Sequence, residues 1–217
     1  MLTNEQKTAL KIIFESEIKQ VAAWGGGTAL SENYLHHRKS EDIDIILFDL
    51  PPTEELTILT AQIGKAIKAL KKKSFAQMNR FQYVFDLSGD KELKLEFVYY
   101  PFAKIGKARK VGNIVVESLA DIVISKTLSA YQRNEAKDAF DLFVVLKTKK
   151  FNIEELISGV ERKFSEKIDL AVLLSRLTKN LKNFSALSPL LIKKYSQKEI
   201  TNFFQKLFNQ YLKKQGL

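Results

Sequence analysis

Three successive glycines and a threonine stand ahead of two aspartates that are separated by a single residue. The chain reads Gly25-Gly26-Gly27-Thr28, and Asp42 and Asp44 follow 15 and 17 residues after Gly27. Glycines at a turn that opens a helix let backbone N–H groups approach phosphate oxygens, and Thr28 adds a hydroxyl donor. Residues two apart on a strand point to the same side, so Asp42 and Asp44 present two carboxylates from one face. Such a pair suits Mg²⁺, which binds carboxylate oxygens and keeps positions open for phosphate.

A third carboxylate on a neighbouring strand would complete a two-metal site. Glu96 is the best candidate, because the alternation of residues 93–97 turns the apolar side chains to the core and leaves Lys94 and Glu96 on the opposite face. Asp86 is the second candidate. Asp86 lies close to the turn predicted at 88–90, so a polar residue at a strand end describes it better.

The periodicity of the chain predicts a sheet in the first half and helices in the second. A helix from Thr28 through Tyr34 follows the glycine turn, and apolar residues have helical period almost everywhere from Ser118 onward. The other predicted elements are a helix over 4–19, a strand over 21–24, a strand over 42–48, a helix over 54–72, two strands over 80–87 and 92–99 joined by a hairpin turn, and a weaker strand over 113–116.

Composition excludes several classes of protein. The 217 residues are 45% apolar and 28% charged and include no cysteine, so we expect a folded core without disulfides or thiolate metal sites. No apolar run approaches the roughly 18 residues of a membrane span. Glu5, Glu15 and Glu17 mark the N-terminal segment as an amphipathic helix and not a targeting signal. A cytoplasmic location is therefore expected.

The positive charge is concentrated at the C-terminal end. Residues 170–217 contain nine basic residues and one acid, so +8 of the formal net charge of +10 lies there. Such a stretch attracts polyanions, nucleic acid first among them. A solvated helix surface is the alternative interpretation.

Three blocks of sequence resemble one family. These are GGTALSENYLHHRKSEDIDIILF at 26–48, LKLEF at 93–97 and DIVISKTLSAYQRNEAKDAFDLFVVL at 121–146. In this order they resemble the AbiEii-type toxins of the nucleotidyltransferase superfamily, whose fold is similar to the catalytic domain of DNA polymerase beta. The resemblance implies an α+β fold: a small mixed-sheet catalytic domain over 1–117, followed by an all-helical domain over 118–217 with the basic end.

The resemblance also implies roles for individual residues. Phosphate binding is implied for Gly26, Gly27 and Thr28, metal binding for Asp42, Asp44 and Glu96, and a contact with the triphosphate for Lys126. Arg133, Asp138 and Asp141 belong to the helical block that follows.

The spacing of the charged residues along the predicted helix gives a second interpretation of this block. Lys126, Arg133 and Lys137 form one cationic stripe, which could neutralise a triphosphate or could be a solvated face. Asp138 and Asp141, three apart, are as well explained as salt-bridge partners that hold the helices as by a catalytic role.

The loop before Asp42 holds further candidates. Arg38 and Ser40 could position the metal strand or contact phosphate, and a simple loop role stays open. His36 and His37 point apart on a helix, so they cannot bind one metal together and are interpreted as structural.

These residues predict a metal-dependent enzyme that moves a nucleotide from an NTP to an acceptor hydroxyl. One Mg²⁺ would lie at Asp42 and Asp44 and a second would be shared with Glu96. The resemblance and the basic end favour RNA, with tRNA as the first candidate, as the acceptor of the nucleotide. The resemblance also implies that the protein is a toxin paired with an antitoxin. Transfer to a small molecule or a protein hydroxyl is the alternative. A non-catalytic nucleotide-binding module is disfavoured because all three carboxylates are present.

Overall fold

A computed structural model describes residues 2–216. Within it the chain forms two compact units. The first combines the segment that ends at Tyr34 with Ser40–Ser118, and the second combines Leu35–Lys39 with the segment that begins at Leu119. The outer ends of the two predicted domains, residues 1 and 217, lie outside the described residues. The division into a catalytic and a helical domain at 117/118 stays a prediction.

The first unit is built on a mixed sheet. The strands within residues 2–216 are β1 (Ala22–Gly25), β2 (Asp42–Leu47), β3 (Lys71–Gln77), β4 (Arg80–Asp86), β5 (Glu92–Tyr99), β6 (Arg109–Val111) and β7 (Ile114–Val116). Their order in the sheet is β3-β4-β5-β2-β1-β7-β6. The β2–β5 and β1–β7 pairs are parallel, and the other neighbours are antiparallel.

One face of this sheet is the core. Alternation along β2 buries Ile43, Ile45 and Leu47 completely, whereas Asp42 and Asp44 on the other face are half-buried. The α-helices of this unit within residues 2–216 are α1 (Asn4–Glu15), α2 (Gly26–Leu30) and α3 (Thr53–Ala66).

Two helices of the first unit are fixed by specific contacts. The start of α1 carries a capping box, in which the Thr3 hydroxyl accepts from the Gln6 N–H and the Gln6 side chain accepts from the Thr3 N–H. Helix α3 approaches the core face closely, because a Cβ at Gly64 would lie 3.2 Å from Cε1 of Phe85.

The helix predicted over 54–72 was wrong at its C-terminal end, where strand β3 begins at Lys71. That helix ends at Ala66, Lys68 adopts a left-handed φ of 55°, and residues 71–77 turn back as a strand that pairs with β4. Every residue of β3 is exposed, so its sequence carries no alternation of apolar and polar positions. Pairing with a neighbouring strand, which local periodicity does not encode, decides its structure. Strand β6 was missed for the same reason, because its three residues are all exposed.

The second unit is helical, and the prediction of an α+β fold with a mixed sheet followed by helices is confirmed. Its helices are α4 (Leu119–Gln132), α5 (Ala136–Lys147), α6 (Ile153–Phe164), α7 (Leu170–Asn180), α8 (Phe184–Leu187) and α9 (Gln197–Lys214). Helices α4 and α6 pack closely at Gly159, where a Cβ would lie 2.5 Å from Cδ1 of Ile124. None of the helices within residues 2–216 is long and apolar enough to span a membrane.

The segment 35–39 is tied to the second unit by backbone hydrogen bonds. Lys39 N–H donates to the Leu190 carbonyl at 2.7 Å, and Ile192 N–H donates to the His37 carbonyl at 3.0 Å. The chain therefore leaves the first unit after Tyr34 and rejoins it at Ser40, immediately before the strand that carries the two aspartates.

Candidate active site

The glycine turn and Asp44 are in direct contact. Gly25 ends β1 opposite Asp44 of β2, and Gly26 follows with φ of +69°. A Cβ on Gly26 would overlap the Asp44 carboxylate. Glycine is needed at this position both for the backbone conformation and for the space that the carboxylate occupies.

Thr28 joins the glycine turn to β2. Its hydroxyl donates to the backbone carbonyl of Asp42, and the side chain is buried. This bond fixes the start of β2 beside α2. The predicted phosphate contacts of Gly26, Gly27 and Thr28 stay predictions, and the Thr28 hydroxyl has an internal acceptor here.

The strand register places Glu96 beside the two aspartates. In the parallel β2–β5 pair, Asp42 lies opposite Lys94 and Asp44 lies opposite Glu96. Directly opposite residues on neighbouring strands project from the same face. Asp42, Asp44 and Glu96 therefore lie on one face of the sheet, away from the core.

The Arg80 guanidinium forms an ion pair with the Glu96 carboxylate. Its Nη1 lies 3.2 Å from Oε1 and 3.1 Å from Oε2 of Glu96. Within residues 2–216, no three acidic or histidine side chains are close enough to one another to hold a metal ion. The pair Asp42 and Asp44 has the chemistry for one hard divalent ion with positions left for phosphate and water. A second ion shared with Glu96 would require Arg80 to move.

Glu117 is an acidic residue of this region that the sequence did not single out. It follows β7 and is buried, and its carboxylate occupies the space that a Cβ on Gly25 would take. Its backbone is fixed at both ends, because its N–H donates to the Trp24 carbonyl at 3.0 Å and its carbonyl accepts from the Tyr34 hydroxyl at 2.6 Å. Asp44 and Glu117 thus flank the glycine turn.

Glu117 also acts on a nearby tyrosine. Burial raises the pKa of the Tyr100 hydroxyl, the positive charge of Arg80 lowers it, and the negative charge of Glu117 raises it, so that the net shift is upward.

Asp86, the second candidate for the third carboxylate, lies opposite Glu92 and forms an ion pair with Lys73 at 3.1 Å.

In the second unit, Asp141 is the centre of a buried charged cluster. The Arg38 guanidinium donates to both of its oxygens at 2.7 and 2.9 Å, and His37 Nε2 lies 2.7 Å from Oδ1. Lys126 Nζ lies 3.2 Å from Oδ2. Burial raises the pKa of the Asp141 carboxyl, but the charges of Arg38 and Lys126 outweigh it and hold this pKa well below its usual range.

Asp138 is a second carboxylate of the same cluster. It accepts from Lys126 Nζ at 2.9 Å and from the Arg133 guanidinium at 2.7 and 3.1 Å. Burial lowers the pKa of Lys126, while the charges of Asp138 and Asp141 raise it, and the net shift is upward. Lys126 is therefore a charged ammonium held between two carboxylates. Asp138 and Asp141 thus form ion pairs with Lys126, Arg133 and Arg38, and a catalytic role for them stays a prediction. The single cationic stripe of Lys126, Arg133 and Lys137 was wrong, because α4 ends at Gln132 and a second helix begins at Ala136.

The sequence-predicted residues thus fall into two groups. Gly26, Gly27, Thr28, Ser40, Asp42, Asp44 and Glu96 belong to the first unit, and Arg38, Lys126 and Arg133 belong to the second. Arg38 is buried on Asp141, an arrangement that suits a positioning role better than a phosphate contact. The backbone carbonyl of Ser40 accepts from the Gln6 side chain at 3.4 Å. The predicted contacts of Arg38, Ser40, Lys126 and Arg133 with nucleotide stay predictions.

Two residues of the site were missed. Arg80 could have been found only with the register of β4 against β5, which the loop between them sets. Glu117 could have been found from the sequence, because it is a charged residue directly after the predicted strand over 113–116, where the core ends.

Comparison with solved structures gives the fold of the protein. JHP933 from Helicobacter pylori aligns with a TM-score of 0.67 and 19% identity, over 98% of this chain and 92% of its own. MenT4, a nucleotidyltransferase toxin from Mycobacterium tuberculosis H37Rv, aligns with a TM-score of 0.54 and 10% identity, over 94% of this chain and 80% of its own. At these identities the similarity shows the fold, which is that of a nucleotidyltransferase.

The sequence gives the family. Residues 9–215 match the nucleotidyl transferase AbiEii toxin family of type IV toxin–antitoxin systems, and the chain belongs to this family. It is a nucleotidyltransferase, as predicted. An uncharacterized protein of Aquifex aeolicus strain VF5 is 26% identical over 178 residues, which are 81% of this chain and 82% of that protein.

Proposed function

We propose that the protein transfers a nucleoside monophosphate from an NTP to an RNA acceptor, in a reaction that depends on a divalent cation bound at Asp42 and Asp44. The observation that carries the proposal is the contact between the Gly26 backbone and the Asp44 carboxylate. A turn that favours phosphate and a carboxylate that favours a cation lie side by side, as a metal-bound triphosphate requires.

The chemistry follows from the charges of the triphosphate. When bound, Mg²⁺ would neutralise phosphate oxygens and make the α-phosphorus easier to attack. An acceptor hydroxyl loses its proton to water and forms a bond to the α-phosphorus, and the bond to the departing pyrophosphate breaks. Asp42 and Asp44 orient the nucleotide from the face of β2. Lys126 and Arg133 stay candidates for contact with the triphosphate on the resemblance alone.

The basic C-terminal end supports RNA as the acceptor. Eight of its nine cationic side chains are exposed: Lys179, Lys182, Lys193, Lys194, Lys198, Lys206, Lys213 and Lys214. Such a surface favours a polyanion. tRNA is the RNA that we propose to test first. We also propose that the protein acts in the cytoplasm and that an antitoxin controls it, as its family implies.

The test is transfer of labelled nucleotide. Purified protein is incubated with total RNA and each α-labelled NTP in turn, with and without Mg²⁺. We expect a labelled band of tRNA size with one or more NTPs, and loss of the signal by about 100-fold or more in Asp44→Ala, because the cation loses a carboxylate. Asp49→Ala, which removes an exposed carboxylate just after the same strand, is the matched control and should retain transfer.

Three outcomes would refute parts of the proposal. Full transfer by Asp44→Ala would refute the assignment of the cation site. Labelling of the protein itself, or of a small molecule detected by mass spectrometry, in place of RNA would refute the acceptor. Equal transfer in the presence of a chelator would refute the dependence on a divalent cation.

A further inference from the structure

The face of the sheet that carries the aspartates continues to the edge of the sheet. Asp44 lies opposite Glu96, Glu96 lies opposite Gln82, and Gln82 lies opposite Phe75. Residues in one such row project from the same face. At about 4.8 Å per strand, Phe75 stands roughly 14 Å from Asp44 along this row.

Phe75 is exposed although it is aromatic. Its side chain is 57% accessible in edge strand β3, so the hydrophobic core does not explain it. One cation lies on each side of the row that contains Phe75, on the same face of the sheet. Lys73 precedes Phe75 by two residues, and Arg80 lies opposite Gln77, which follows Phe75 by two.

Both cations are in ion pairs that phosphate could replace. Lys73 pairs with Asp86 and Arg80 pairs with Glu96, each at 3.1 Å, and the two cationic side chains are 44% and 52% exposed. Because about half of each cationic side chain is accessible, a phosphate oxygen can reach it and compete with the carboxylates of Asp86 and Glu96, which are 33% and 20% exposed. An aromatic ring between exchangeable cations is the arrangement that binds single-stranded nucleic acid, with a base stacked on the ring and the backbone at the cations.

We infer that Phe75, Lys73 and Arg80 dock a single-stranded segment of the acceptor RNA. This inference rests on the proposed function, because it takes RNA as the acceptor. The row gives the segment a direct path across the sheet to Asp44, a length that a few nucleotides span. A protein that adds a strand to β3 is the less suitable occupant, because the three successive lysines at 71–73 oppose strand pairing at an edge.

The test is binding of a labelled single-stranded RNA of about eight nucleotides, measured by fluorescence anisotropy without nucleotide present. Phe75→Ala should weaken binding about tenfold or more, because the stacked base loses its partner. Phe75→Trp should restore the affinity, because stacking needs an aromatic ring and not phenylalanine in particular. The matched control is Met78→Ala, which removes an apolar side chain that is 96% exposed in the turn after β3 and should leave binding unchanged.

Four results would overturn the inference: unchanged binding by Phe75→Ala, equal loss by Met78→Ala, failure of Phe75→Trp to restore binding, or absence of binding by the wild type. A wild-type protein that binds a partner protein through β3 in place of RNA belongs to the last case. A separate measurement tests the proposed function. NTP binding by the wild type and by Asp44→Ala, measured by calorimetry, tests the nucleotide site without RNA, whereas the anisotropy experiment tests Phe75 without NTP.

Discussion

At the scale of single residues, the most constrained group is the Asp141 carboxylate. It is fully buried, and Arg38, His37 and Lys126 all lie within 3.2 Å of its oxygens. A buried charge is expensive unless its partners are charged and well oriented, and the same holds for each partner. Removing the one carboxylate would therefore leave Arg38 and Lys126 buried with reduced compensation.

Asp141→Asn should destabilise the protein by about 3–5 kcal/mol, because it keeps the shape of the side chain but breaks the buried pairs. Chemical denaturation monitored by circular dichroism measures this free energy of unfolding. Glu154→Gln is the matched control. It breaks an exposed ion pair with Lys214 in the same unit and should cost less than about 1 kcal/mol. Similar losses in the two variants would contradict the account of Asp141.

His37 should make the stability of the protein depend on pH near neutrality. Burial lowers its pKa, the hydrogen bond and charge of Asp141 raise it, and the charges of Arg38 and Lys126 lower it, with a net downward shift. The folded state therefore binds fewer protons than the unfolded state. Its contribution to stability is complete above the ordinary histidine pKa and is lost as pH falls from that value toward the lowered one.

We expect the free energy of unfolding to fall as the pH decreases below the ordinary histidine pKa of about 6.5. In His37→Gln this fall should become shallower, even if the variant is less stable at every pH. His36→Asn removes the neighbouring exposed histidine, keeps a residue type that tolerates its φ of 47°, and should retain the wild-type slope. A wild-type slope in His37→Gln would assign the pH dependence to other groups.

At the scale of elements, the sequence predicts best where burial alternates. Strands β2 and β5 were predictable because Ile43, Ile45, Leu93 and Leu95 alternate with polar residues, and this alternation also gave the face of each carboxylate. Strand β3 was not predictable, because it is exposed throughout and its partner strand alone defines it. The pairing of Asp141 with Arg38 was equally hidden, since 103 residues separate them and nothing local links them.

The glycine turn is the element on which the candidate active site depends most directly. Gly26→Ala should abolish nucleotidyl transfer, because the added methyl group would displace the Asp44 carboxylate. Gly89→Ala is a close control: Gly89 has nearly the same φ, +70°, but no atom lies within 4 Å of an added Cβ. Both variants carry the backbone strain of alanine at positive φ. Equal effects on transfer, measured at matched folded fractions, would show that strain alone and not displacement of Asp44 is responsible.

At the scale of the whole molecule, the surplus of positive charge is almost entirely in residues 170–217. Each phosphate contact by an exposed cation releases counterions, so the affinity for RNA should fall steeply as salt rises. The slope of log K against log salt counts these contacts.

Replacing Lys193, Lys194 and Lys198 with glutamine should reduce the slope for single-stranded RNA by about 2, measured by anisotropy over a series of salt concentrations. The same change of charge at Lys7, Lys11 and Lys19, which are exposed near the N-terminus, should leave it nearly unchanged. A flat salt dependence in the wild type would contradict the assignment of this end to RNA.

The segment 35–39 has a consequence for the order in which the protein is synthesised. His37 and Arg38 leave the ribosome early, but the carboxylate that compensates them is made 104 and 103 residues later. Until then, burying Arg38 would leave a charge without its partner. We therefore expect the segment 35–39, which leads into β2, to reach its final structure only after Asp141 has been made.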